Sequence, residues 1–152
     1  MQSDNSAMRR MKFLGSYTYQ LDDKGRVSLP AAFRNVAADQ RFVLIQVTAP
    51  ALSLYPETEW VKVEERLSEM MRKQPESRPY LLNLLANAVE LSPDGQGRIL
   101  IPAALREAGS LNGQVQMIGA IDRIEIWNPS DFERVAEQAS AEYARFLPQI
   151  FG

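Results

Sequence analysis

The chain has no cysteine and no histidine among its 152 residues. Disulfides, thiolate and imidazole metal ligands, Ser-His-Asp triads and Cys-His pairs all need one or the other, so they are excluded together. Any catalysis would fall to carboxylates, Lys, Tyr or Ser, and any metal to oxygen ligands. Long apolar runs are missing as well, since no stretch approaches the roughly 20 residues that cross a bilayer. The first ten residues, MQSDNSAMRR, carry two arginines with no apolar segment behind them and do not read as a secretory signal. The expectation is a cytoplasmic protein with no membrane partner, in which residues 1–11 form a flexible polar tail. An excess of positive charge is also lacking: the formal net charge is -2 and the pI about 5.3, so binding to nucleic acid would need a local basic patch. Hydrophobic content of 45% with 24% charged residues is that of an ordinary globular protein.

What the chain does have is a sentence said twice. Asp22 to Arg34, DDKGRVSLPAAFR, returns as Asp94 to Arg106, DGQGRILIPAALR, at an offset of 72 residues. The offset, continued without a gap, places Val43 on Val115, Ile45 on Met117, Leu52 on Ile124, Leu54 on Ile126, Tyr55 on Trp127, Trp60 on Phe132 and Val63 on Val135. A period of this kind predicts two copies of one structural unit. The boundaries read as a first repeat over 12–73, a linker over 74–83 with two prolines, and a second repeat over 84–152. Each half is near the lower size limit for an independent core, so the two are expected to share one.

Within each copy the pattern is strand, turn, strand, short helix, two strands and a longer helix. Tyr17, Tyr19 and Leu21 alternate with polar Thr18 and Gln20, the period of a strand with one buried face. Asp23-Lys24-Gly25 supplies a turn, Val27 to Leu29 resume the strand, and Pro30 suits the first turn of a helix. Phe42 to Val47, Leu52 to Tyr55, Val115 to Ile118 and Arg123 to Trp127 read as strands. Ser130 with Glu133 matches a capping box at a helix start, followed by an apolar stripe of Phe132, Val135, Ala139, Tyr143 and Phe146. The stripe of the first copy is Trp60, Val63, Leu67 and Met70. Such stripes serve either the chain's own core or a contact between subunits.

The duplicated turns hold the candidate functional residues: Asp22, Lys24, Gly25 and Arg26, then Asp94, Gly97 and Arg98, with Gln96 in place of the lysine. An Asp that opens a turn accepts backbone N–H bonds, and Gly permits the tight reversal. On turn chemistry alone two readings stand. The Asp and Arg form an exposed ion pair worth about 0–1 kcal/mol, or the Arg forks onto a phosphate or a guanine edge. Arg34 and Arg106, eight residues on, read either as solvated helix charges or as phosphate contacts.

These residues resemble the MraZ family. The resemblance rests on the two Asp-x-x-x-Arg turns, each followed by an apolar strand and a Pro-Ala-Ala helix start, on MKFLGSYTYQLDDKGR opening the first copy and on IEIWNPSDF closing the second. It implies an α+β fold, mainly a β barrel with peripheral helices, in which two tandem AbrB-like repeats make a pseudo-twofold swapped-hairpin barrel. It implies a bacterial transcriptional regulator that binds double-stranded promoter repeats of the division and cell wall gene cluster, including its own operon. Assembly would be a homo-oligomeric ring, nucleoid-associated, with no cofactor. By position, the family's DNA-contacting motif falls on Asp22 and Arg26 and on Asp94 and Arg98, with Lys24 extending the first loop; of these, Lys24, Arg26 and Arg98 are expected to meet DNA, with Arg34 and Arg106 added on the sharper of their two readings, while Asp22, Gly25, Asp94 and Gly97 organise the turns. The competing expectations are an antitoxin-like AbrB module, an oligomeric scaffold with purely structural turns, and a carboxylate hydrolase using Glu64, Glu65 or Asp122. No pair of those acids has diagnostic spacing.

Overall fold

Alternating apolar residues and β-branched runs separated by Gly-containing turns make strands wherever the residue pattern can bury one face. In the computed structural model, which describes residues 12–36 and 41–152, the elements run as follows. The first repeat contains β1 (Ser16–Gln20), β2 (Arg26–Ser28), α1 (Ala31–Arg34), β3 (Phe42–Ile45), β4 (Leu52–Pro56) and α2 (Glu57–Lys73). A 3-10 turn at Pro75–Ser77 leads into α3 (Arg78–Leu85). The second repeat contains β5 (Val89–Leu91), β6 (Arg98–Leu100), α4 (Ala103–Ala108), β7 (Gln114–Gly119), β8 (Ile124–Trp127), α5 (Pro129–Ala139) and α6 (Tyr143–Phe151). The tail expected over 1–11 lies outside the described residues.

The strands form a six-stranded antiparallel sheet in the order β1-β7-β8-β4-β3-β5 and a two-stranded antiparallel ribbon of β2 with β6. Exchanging equivalent strands of the two repeats turns the sheet order into its own reverse, so a pseudo-twofold axis passes between β4 and β8 and through the ribbon. Among the described residues only β3–β4 and β7–β8 pair within a repeat; β1 pairs with β7, β5 with β3, β4 with β8 and β2 with β6. The expected closed barrel is not formed: among the described residues the large sheet stays open at β1 and β5, and the ribbon is a separate sheet. A closed barrel needs a continuous ladder around the ring, and among the described residues β2 and β6 form a ladder only with each other.

One core serves both repeats. Phe13, Val27, Leu29, Phe33, Phe42, Leu44, Leu52 and Leu54 from the first meet Ile99, Ile101, Leu105, Val115, Met117, Ile124 and Ile126 from the second, all essentially water-free. Phe33 takes the edges of Phe13 and Tyr17, at ring separations of 5.5 and 5.1 Å, an edge-to-face arrangement favoured by the aromatic quadrupole. A second, smaller cluster lies on the outer side of the sheet, where Trp60, Val63 and Leu67 of α2, with Leu84 and Leu85 of α3, cover Val43 and Ile45.

The strand pairing corrects the gapless repeat register. β3 matches β7 at an offset of 73, Phe42 with Val115 and Leu44 with Met117, because Phe42 lies opposite Leu91 as Val115 lies opposite Tyr19. The second repeat has one residue more before β7, and the offset returns to 72 at β8, where Leu52 and Leu54 answer Ile124 and Ile126 across the axis. A one-residue slip changes which face every side chain occupies. The sequence could not reveal it because α2 buries the outer face of β3 as well, which makes Phe42 to Ile45 apolar throughout and erases the period of two.

Two helix expectations also change. The cap of α5 is Asn128, whose Oδ1 accepts from the backbone N–H of Ser130 at 2.8 Å and of Asp131 at 3.4 Å, so the Ser130–Glu133 capping box is not the start signal. Asn128 followed by Pro129 satisfies the same requirement two residues earlier, with proline at the position whose N–H would be unsatisfied anyway. The apolar stripe after it is not one helix either, since a 3-10 turn at Ser140–Glu142 separates α5 from α6.

Because four strand pairings cross between repeats, neither half can satisfy its strands alone. An isolated 12–77 or 78–152 fragment is expected to fold only as a dimer that imitates the missing half, with a melting temperature that rises with protein concentration. Light scattering and thermal denaturation check this, and a folded monomeric half would contradict it.

Candidate nucleic-acid interface

Gly25 and Gly97 make the two turns possible, with φ of +86° and +77°, the left-handed region that side-chain-bearing residues avoid. In the first turn, Asp22 Oδ1 accepts from the backbone N–H of Lys24 at 2.9 Å and of Arg26 at 2.8 Å, while Oδ2 accepts from Arg26 Nε at 2.9 Å. The second turn repeats this bond for bond. Asp94 Oδ1 accepts from the N–H of Gln96 at 2.9 Å and of Arg98 at 3.0 Å, and Oδ2 from Arg98 Nε at 3.0 Å. Backbone bonds close each loop, Asp22 N–H to the Arg26 carbonyl and Asp94 N–H to the Arg98 carbonyl, both 2.8 Å.

Of the two readings the turn chemistry allowed, the structure shows the Asp–Arg ion pair. The pair engages only Nε, so the two terminal nitrogens of each guanidinium keep their donors in a fixed orientation. The arginine side chains are about one-third exposed, 32% for Arg26 and 29% for Arg98. Such a fork is oriented before a ligand arrives, which removes much of the rotamer entropy a free arginine would lose.

The ribbon sets where these forks stand. Arg26 lies opposite Leu100, Val27 opposite Ile99, and Ser28 opposite Arg98. Val27 and Ile99 are buried at the axis, so Arg26, Ser28, Arg98 and Leu100 share the outward face, with the two arginines as diagonal neighbours whose backbones are about 7–8 Å apart.

Each turn is also held by the other repeat. The Arg106 guanidinium lies directly on Gly25, where an added Cβ would run into it, and its NH1 donates to the Ile101 carbonyl at 2.6 Å. The Arg34 guanidinium lies in the same way on Gly97; its Nε is buried without a hydrogen-bond partner among the described residues. The Ile101 N–H donates to the Gly25 carbonyl and the Leu29 N–H to the Gly97 carbonyl, both at 2.9 Å. The structure thus brings all nine sequence-derived site residues into one region and sets the Arg34 and Arg106 guanidinium groups against the glycines of the opposite repeat's turns. Leu100 escaped the sequence reading, and the signal was there: β6 reads Arg-Ile-Leu, with its outer position apolar where the first repeat has Ser28.

Elsewhere, Glu57, Glu64 and Glu90 line a cleft of about 340 Å³ beside Trp60, and Asp122 is paired with Arg123 at 2.9 Å. Among the described residues no acidic cluster is arranged to hold a metal ion, and no helix is long and apolar enough to cross a membrane.

These features define a class: a duplicated α+β protein whose two repeats interleave through their strands and present paired Asp–Arg turns on one ribbon. Comparison with known proteins gives the family. The MraZ protein family model, whose description also likens it to antitoxins, matches residues 12–83 and again 84–146. Relatives named "Transcriptional regulator MraZ" include one from Desulfitobacterium hafniense (strain Y51), 38% identical over 141 residues that cover 91% of this chain and 98% of the relative. Another, from Mycobacterium sp. (strain KMS), is 41% identical over 130 residues, 86% of this chain and 90% of the relative. A third, from Corynebacterium diphtheriae, is 38% identical over 140 residues, 92% and 97%. The chain belongs to the MraZ family, a family of transcriptional regulators.

The backbone N–H of Arg26 holds the Asp22 carboxyl below its usual value of 3.8, and the N–H of Arg98 does the same for Asp94. A carboxylate whose folded-state pKa is depressed contributes stability above its unfolded value and loses it as pH falls through the folded one. The turns are therefore expected to stay closed from neutral pH down past 3.8, the ordinary carboxyl value, and to open only below it. NMR shifts of the Gly25 and Gly97 amides check this; a titration midpoint above 3.8 in either turn would contradict it.

Proposed function

We propose that this protein regulates transcription by binding double-stranded DNA in a sequence-specific way, with the β2–β6 ribbon entering the major groove. The supporting observation is the pair of pre-oriented guanidinium forks on the outward face of a two-stranded ribbon. A two-stranded ribbon fits the major groove, and an arginine fork matches the O6 and N7 acceptors of guanine. Because Asp22 and Asp94 offset much of the charge of Arg26 and Arg98, these arginines suit base edges better than phosphates. Lys24 supplies a phosphate contact at the first turn, and Gln96 offers a neutral donor at the second. Arg34 and Arg106 serve binding from behind, by holding the turns.

The strand exchange between repeats supports the swapped-hairpin reading of the AbrB kind, with 12–73 and 84–152 as the repeats and 74–83 as their link. The targets implied by the family resemblance are promoter repeats of the division and cell wall gene cluster, including the protein's own operon. That places the protein with the nucleoid in the cytoplasm. A homo-oligomeric ring reconciles weak single sites with a chain of net charge -2, since several ribbons on repeated DNA raise the effective concentration. Exposed apolar side chains at two unlike places favour such a ring: Val61, Met70, Tyr80 and Leu82 scattered over α2 and α3, and Tyr143, Phe146, Leu147, Ile150 and Phe151 on α6. Unlike patches meet head to tail, and rings close where the rotation permits. The exposed α6 also favours a second reading, a scaffold or antitoxin-like module that binds a protein through this helix.

Fluorescence anisotropy of the duplex upstream of the protein's own operon, against a shuffled duplex at two salt concentrations, separates the readings. Wild type is expected to prefer the native duplex. Each of Arg26→Ala and Arg98→Ala is expected to cost about 1–3 kcal/mol of binding. Equal binding by the folded double variant would move the function to the second reading.

A further inference from the structure

The two halves of the ribbon face are not chemically alike. The pseudo-twofold axis relates Arg26 to Arg98 but Ser28 to Leu100, and Lys24 to Gln96. One half therefore presents Lys24, Arg26 and, directly across from that arginine, Leu100. The other presents Gln96, Arg98 and, across from it, Ser28. Leu100 is 53% exposed, opposite Arg26 and two residues along from Arg98, where the chain's own core gains nothing from it.

We infer that Leu100 is a specificity residue that reads the C5-methyl group of a thymine next to the base pair engaged by Arg26. The inference rests on the DNA-binding reading above and adds to it which base one half of the ribbon selects. Leucine has no donor or acceptor, so placing it against a polar base edge or a phosphate would strip that group of water without replacement. Thymine's methyl is the apolar group that the four base pairs display on the floor of the major groove, and burying it against Leu100 removes two apolar surfaces from water at once. Ser28, at the mirrored position, can donate to or accept from any base edge and selects no methyl. A second copy of the same face is a poor occupant, because it would bring Arg26 and Arg98 against their own kind.

The test uses the full-length protein and the operator duplex with thymines replaced one at a time by deoxyuridine, which deletes the methyl and leaves base pairing unchanged. Wild type is expected to lose about fourfold in affinity at one thymine per element, the worth of one methyl group withdrawn from water, and little at the others. Leu100→Ser should bind thymine and uracil duplexes equally, whereas Leu100→Met, which keeps an apolar side chain, should keep the difference. Arg26→Ala should weaken both duplexes alike. Equal wild-type affinity for every substituted duplex, or an unchanged thymine preference in Leu100→Ser, would overturn the assignment while leaving the DNA-binding reading standing. Failure of wild type to distinguish operator from shuffled DNA would overturn both.

Discussion

The exchange of strands between the two repeats is the constraint from which the rest follows. Among the described residues β1 and β5 have their ladder partners in the opposite half, and β2 and β6 form a ladder with each other. Antiparallel ladders spanning sequence-distant halves cost loop-closure entropy, and the shared core of Phe, Leu, Ile and Val side chains offsets it. The same exchange puts the two turns at opposite ends of one ribbon, which a side-by-side pair of independent domains would not do. Duplication here makes a single surface with two related ends.

Much of this was legible in the residues. The repeated DDKGRVSLPAAFR and DGQGRILIPAALR fixed the turns, the ribbon strands and the start of each short helix, because glycine, proline and aspartate act locally and leave marks that survive outside any tertiary context. What escaped depends on the other half of the chain. The slip of β3 against β7 was hidden by a strand buried on both faces, and the place of Arg34 and Arg106 against the turns was hidden because the glycines they cover lie in the opposite repeat. The open sheet differs from the expected barrel for a like reason: closure depends on how far β2 and β6 stand from β1 and β5, and no local pattern states that.

The arrangement also accounts for an acidic protein carrying an arginine-centred site. The carboxylates of Asp22 and Asp94 lower the net charge near the ribbon while aligning the guanidinium planes, an exchange of long-range attraction for orientation. On the DNA-binding reading proposed above, affinity comes from several ribbons acting together, and the exposed apolar side chains of α3 and α6 are where subunits would meet. The two long helices began as copies of one unit and have diverged. Trp60 packs near Tyr55 and Phe132 near Trp127, at 5.8 and 5.4 Å, in equivalent places, and α2 goes on to cover Val43 and Ile45 of the sheet.

The central claim is that each Asp–Arg turn is held in place by the opposite repeat. Hydrogen–deuterium exchange on the Arg106→Ala protein tests it most directly. The account predicts faster exchange of the Lys24 to Arg26 amides, about 80 residues away in sequence but in contact through Gly25, with the Gln96 to Arg98 amides unchanged. Loss of protection confined to the second repeat, with the first turn untouched, would contradict it.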